Sequence, residues 1–146
     1  GVKTILNPAP AADLPNGMLE LCDFITPNET ETEAITGVSV SSIEDAENAS
    51  RLLVKMGVGT PIITLGEKGA YLYGHGLVEP FSVGPVLETT GAGDAFNGGF
   101  ATALSEGVTA LEAVTVGCAT AGISVTRAGT APSMPTRSQV DKLIRR

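Results

Sequence analysis

The chain has 146 residues, enough for one domain with a real core, and 42% of them are hydrophobic against 17% charged, the balance of a globular protein. A formal net charge of −7, with scattered Lys and Arg, excludes a general nucleic-acid binder, because affinity for a phosphate backbone needs clustered cations. No apolar run approaches the roughly 20 residues that span a bilayer, the first residues lack the basic start of a signal peptide, and Cys22 and Cys118 form no C-x-x-C motif, so reduced thiols in a cytoplasmic protein without membrane contact are expected.

In chain order, residues 2–6 and 24–25 predict short buried strands, with Pro8 and Pro10 ending the first. A helix is expected from Ser41 or Ser42, where Ser41 and Glu44 form a capping box, with Ile43, Ala46, Ala49, Leu52, Leu53 and Met56 on one face and Gly57 as its stop. Residues 60–65 are β-rich, and residues 70–78, with Gly74-His75-Gly76 in the middle, predict a hairpin. From Gly91 the pattern turns helical: Ala95, Phe96, Gly99, Phe100, Ala103 and Leu104 make one stripe, closed by Gly107. Thr109 with Glu112 opens a further helix whose Ala113, Gly117, Ala119, Ala121 and Gly122 allow a close neighbour. Thr136 with Gln139 opens a last short helix through Val140, Leu143 and Ile144. Strands alternating with helices predict an α/β layered fold, a mostly parallel sheet flanked by helices, read as one domain with ligands beyond the C-terminal strand ends.

The chemistry concentrates in Glu88-Thr-Thr-Gly-Ala-Gly-Asp94-Ala-Phe-Asn-Gly-Gly99, which is expected to pass from a strand through a glycine-rich turn into a helix. Gly91 and Gly93 let the backbone approach a ligand closely, and first-turn amides with the helix dipole favour a phosphate. Asp94, beside those amides, can accept a proton from a hydroxyl that attacks phosphorus. The simpler alternative is that Asp94 only complements the dipole, worth about 0.3–1 kcal/mol. Phe96 occupies the third glycine of a dinucleotide fingerprint, and no G-x-x-x-x-G-K-[ST] occurs, so a Rossmann site and a P-loop are both excluded.

Five segments in order, Asn7-Pro-Ala-Pro-Ala11, Thr26-Pro-Asn-Glu-Thr-Glu31, Ile63-Thr-Leu-Gly-Glu-Lys-Gly69, Thr89-Thr-Gly-Ala-Gly-Asp-Ala-Phe-Asn-Gly98 and Val125-Thr-Arg-Ala-Gly-Thr-Ala-Pro-Ser133, resemble the ribokinase-like carbohydrate kinase family. The resemblance implies a ribokinase-like fold and ATP-dependent phosphorylation of a sugar hydroxyl, ribose to ribose 5-phosphate first. Other family sugar or nucleoside kinases, or a noncatalytic nucleotide-binding module, are the alternatives. It implies that residues 1–146 are the nucleotide-binding and catalytic C-terminal portion, with the sugar-binding half and lid outside them, and a homodimer for the full-length protein.

Position by position, the resemblance makes Asp94 the base that meets the sugar, and Gly91, Ala92, Gly93 and Asp94 an anion hole. It assigns Asn28 and the turn Thr64, Leu65, Gly66, Glu67, Lys68 and Gly69 to the nucleotide. Cys118 stands near the adenine, where the family commonly has Asn or His. Glu31 matches a position linked to Mg²⁺ through water; helix capping is the competing role for that carboxylate. A monovalent-cation (K⁺) site is implied at Glu88, Thr90, Ser124, Arg127, Gly129 and Ser133, mostly through carbonyls, with Glu88 one methylene longer than the family's usual Asp.

Overall fold

The computed structural model describes residues 1–145, which divide into two compact units, one ending at Leu77 and the other beginning at Val78. Nothing in the composition around residue 77 marks a linker, which is why a single domain is the reading from sequence.

In the first unit, β1 (Ile5–Leu6) pairs in parallel with β2 (Phe24–Ile25), and β2 in parallel with β3 (Thr60–Thr64). β4 (Ala70–Leu72) returns antiparallel to β3, and β5 (Gly76–Val78) follows, giving the sheet order β1-β2-β3-β4-β5. The first strand is shorter than predicted. Val2 is 93% exposed, and Thr4, whose carbonyl still accepts from the Phe24 amide (3.0 Å), gives its own amide to the Asp23 carboxylate (2.9 Å) and its hydroxyl to the Leu21 carbonyl (2.6 Å), so the ladder ends there. Helix α1 (Glu29–Thr36) follows β2, and α2 (Ile43–Lys55) precedes β3.

The box at the start of α2 lies one residue later than predicted. Ser42 and Asp45 form it, and the Asp45 carboxylate also accepts from the Ser41 amide and hydroxyl (3.0 and 2.7 Å). These bonds, the Ser41 side chain's first, hold its carboxyl down at about 2. The buried face is Ala46, Ala49, Ser50 and Leu53, and Ile43 and Met56, at the two ends of the predicted face, are 39% and 42% exposed. Leu53, Ile25, Ile62, Ile63 and Leu72 are fully buried, each stabilising the fold by roughly 1.5–3 kcal/mol relative to exposure.

The second unit is helical. α3 (Ala92–Ser105) and α4 (Ala110–Ser124) pack closely, and α5 (Arg137–Ile144) lies on α4. Small residues set the helix spacing: a Cβ on Gly99 would meet the Thr120 hydroxyl at 2.3 Å, and one on Gly117 would meet the Phe96 ring at 2.8 Å. Phe96 and Phe100 stack with ring centroids 6.1 Å apart. Thr109 and Glu112 form the predicted box at α4. At α5 the Gln139 side chain accepts from the Thr136 amide (2.9 Å), and Arg137 pairs with both Asp141 and Glu106. Among the described residues no helix is long and apolar enough to cross a membrane.

Candidate active site

The predicted strand before Gly91 does not form; residues 79–89 have no regular secondary structure. The amides of Leu87 and Glu88 instead converge on one acceptor, the Val125 carbonyl, at 2.8 and 3.2 Å. This clamp ties the approach to α3 onto the C-terminal end of α4. A second clamp lies beside it, where the Glu88 carboxylate accepts from the Gly129 amide at 2.8 Å.

From that anchored approach the chain turns at Gly91, whose φ of +81° is left-handed, and enters α3. Glycine is required there on two counts, since a Cβ would also meet the Thr130 side chain at 3.2 Å. The Ala92 amide bonds the Thr89 carbonyl and the Ala95 amide bonds the Gly91 carbonyl, whereas helix geometry leaves the first-turn amides of Gly93 and Asp94 with no intrahelical acceptor. Gly93 and Asp94 are both exposed, and a Cβ at Gly93 would meet nothing within 4 Å. The result is an open helix N-terminus with a carboxylate on its rim, able to take a phosphoryl group on its amides and a proton on Asp94. One turn on, Asn97 donates its side-chain N–H to the Gly93 carbonyl at 2.9 Å.

The residues expected around a monovalent cation all fall in this unit. Ser124 and Ser133 are buried, and Arg127 and Gly129 partly so. The Ser133 hydroxyl donates to the Thr130 carbonyl (2.6 Å), Arg127 donates from its amide to the Ser124 carbonyl (3.0 Å) and from Nη1 to the Ser133 carbonyl (3.3 Å). These positions would offer an ion oxygen atoms, the Glu88 carboxylate, backbone carbonyls and a hydroxyl, of which a Glu88 oxygen and the Ser124 and Ser133 carbonyls already accept hydrogen bonds. That chemistry fits a large, weakly hydrated cation whose shell carbonyls can replace. Among the described residues no group of three or more His, Cys, Asp and Glu is arranged to hold a metal ion.

In the first unit, the parallel order of β1, β2 and β3 puts their C-terminal ends on one edge, so the segments beginning at Asn7, Thr26 and Leu65 all leave the sheet there. The Thr64 amide bonds the Pro27 carbonyl at 2.9 Å, joining the Asn28 segment to the turn after β3. That turn is a 3-10 helix, Gly66–Lys68, closed by a bond from the Leu65 amide to the Gly69 carbonyl (2.9 Å), with Gly66 at φ +56° and Gly69 at +96°. Gly66, Glu67 and Lys68 are exposed.

Asn28 and Glu31 make a reciprocal cap on α1: the Asn28 side chain accepts from the Glu31 amide (2.8 Å), and the Glu31 carboxylate accepts from the Asn28 amide (2.9 Å). Glu31 is 7% exposed, and one of its oxygens is engaged. A single partly engaged carboxylate fits Mg²⁺ met through water, since that ion keeps most of its hydration and otherwise binds substrate phosphates. Cys118, on α4, is 6% exposed, and burial pushes its thiol up to about 12, so it is a neutral thiol within the core with almost no exposed surface.

Sequence reasoning missed Thr130, Asn97, the Pro27 carbonyl and the Gly129 amide. Asn97 sits inside the signature four residues after Gly93, a spacing that could have flagged it. The other three act through backbone atoms or contacts distant in sequence and leave no residue-type signal.

Comparison with known proteins gives one family. A model of the pfkB family carbohydrate kinases matches residues 1–137. Ribokinase of Haemophilus influenzae is 46% identical over 142 residues, covering 95% of this chain and 46% of that protein. Among solved structures, ribokinase of Thermotoga maritima superimposes with a TM-score of 0.89 at 38% identity over 99% of this chain and 49% of its own. Arabidopsis thaliana ribokinase, complexed with ribose and ATP, gives 0.92 at 34% identity over 98% of this chain and 47% of its own. The chain thus spans about half the length of the relatives it matches.

Proposed function

This chain belongs to the pfkB family of carbohydrate kinases and has the ribokinase-like fold, and from that membership we propose that it is the nucleotide-binding and catalytic portion of an ATP-dependent ribose kinase. The observation that carries the reading is the left-handed Gly91 turn delivering open amides at Gly93 and Asp94 with the Asp94 carboxylate exposed beside them. The relatives named above are ribokinases, and one holds ribose and ATP, which supports ribose over other sugars.

In the proposed reaction the sugar 5-hydroxyl oxygen forms a bond to the γ-phosphorus of ATP while the bond from that phosphorus to the β,γ-bridging oxygen breaks. ADP leaves, and Asp94 takes the hydroxyl proton. The amides of Gly93 and Asp94, with the turn at Gly91 and Ala92, receive the negative charge that builds on the phosphoryl oxygens. Asn28 and the turn from Thr64 to Gly69 hold the nucleotide. Glu31 would hold Mg²⁺ through its water shell, and that ion would supply charge neutralisation on the phosphates. Glu88 with the carbonyls of Thr90, Ser124, Arg127 and Gly129, and with Ser133, would hold a monovalent cation, which would supply positive charge beside the anion-hole loop. The full-length protein acts as a cytoplasmic homodimer.

The experiment is Asp94→Asn in the full-length protein, assayed with ATP and ribose. Loss of kcat by at least about a thousandfold with near-normal ATP affinity is expected, because proton acceptance and not binding is removed. Turnover within about tenfold of wild type would overturn the assignment.

A further inference from the structure

The geometry points to Asn97 as a positioning residue that strengthens the Asp94 amide as an anion-hole donor, an inference that rests on the phosphoryl-transfer reading above. The Gly93 carbonyl and the Asp94 N–H belong to the same peptide group. In α3 that carbonyl accepts the ordinary helical bond from the Asn97 amide and, in addition, the Asn97 side-chain N–H at 2.9 Å. A peptide whose oxygen carries two hydrogen bonds is more polarised, and its N–H becomes a better donor. The N–H in question is one that the helix leaves open, at the exposed rim beside the Asp94 carboxylate.

Sterics add to the effect. Asn97 is partly buried one turn after Gly93, a residue with φ and ψ freedom and no side chain to pin its peptide plane. The Asn97 bond fixes that plane, so the Asp94 N–H keeps one direction as charge develops. A donor that need not reorient during the reaction is the kind that lowers a barrier.

The same helix supplies the control. Thr102 donates its hydroxyl to the Gly98 carbonyl at 2.8 Å, so a hydroxyl at the same helical offset makes the same i−4 bond. Asn97→Ser therefore retains a donor to the Gly93 carbonyl, while Asn97→Ala removes it. Removing an anion-hole donor outright costs about 10²–10³ in kcat, so weakening one is expected to cost about three- to tenfold. In the full-length kinase with ATP and ribose, Asn97→Ala should lower kcat by that factor with the KM for ATP within about twofold and Tm unchanged or raised, since Ala favours a helix. Asn97→Ser should recover most of the lost kcat. Equal loss in both variants, or a loss expressed in KM, would overturn the inference in favour of direct ligand contact by the amide group. Wild-type kcat in Asn97→Ala alongside an inactive Asp94→Asn would overturn it alone, whereas an active Asp94→Asn would remove the reading beneath it.

Discussion

The Glu88 carboxylate and the Gly129 amide meet at 2.8 Å across 41 residues of sequence, joining the approach to α3 with the loop that follows α4. Glu88→Asp shortens the side chain by one methylene and is expected to lengthen or break that bond. A loop already clamped in this way needs less ordering by an ion. Glu88→Asp in the full-length kinase should therefore raise the dependence of kcat on potassium, measured against a large organic cation at constant ionic strength. Equal rates in both salts for wild type and variant would remove the cation site from the proposed function; activation confined to Glu88→Asp would show that the clamp has replaced the ion.

Glu31 presents a choice between two roles for one side chain. Its bond to the Asn28 amide is a capping bond, whose loss costs about 0.5–2 kcal/mol. Glu31→Gln keeps an acceptor for that amide and removes the charge. The magnesium concentration needed for half-maximal rate should rise several-fold in this variant with little change in Tm. An unchanged magnesium titration would assign Glu31 to the cap alone.

Gly91→Ala combines a left-handed φ of +81° with a Cβ 3.2 Å from the Thr130 side chain. The strained backbone costs about 1–2 kcal/mol, and relief would shift the turn that aims the Gly93 and Asp94 amides. A fall in kcat of about a hundredfold is expected, exceeding any loss of ATP affinity measured by calorimetry, because a small displacement at the reacting centre is severe. Full activity in this variant would show that the turn does not position the anion hole.

Asp45 gives a pH signature. Its carboxyl is held at about 2, below the ordinary 3.8, by bonds from Ser41 and Ser42. A depressed folded value means the unfolded chain takes up the proton first, so the stabilisation is complete above about pH 4 and is lost as pH falls toward about 2. Asp45→Ala should lower Tm at neutral pH, and the gap to wild type should narrow between about pH 5 and pH 2.5 in thermal melts. A gap independent of pH would mean that the lost contacts are not charge-dependent.

The sequence by itself determined the α/β class, the boxes at α4 and α5, and the glycine-rich entry to α3, because periodicity, capping residues and a left-handed turn are local properties. It also located Asp94, since the signature around it is contiguous. Tertiary structure decided where local signals compete or are absent. Two serines and three acidic residues around the start of α2 left its cap open by one residue, and the bonds to Asp45 settled where the helix begins. The strand expected to lead into the Gly91 turn does not form, because Pro80, Gly84 and Pro85 interrupt the run and the Val125 carbonyl takes the Leu87 and Glu88 amides. The Glu88–Gly129 bond and the Thr130 contact behind Gly91 depend on residues far apart in sequence and partly on backbone atoms, to which residue-type patterns are blind.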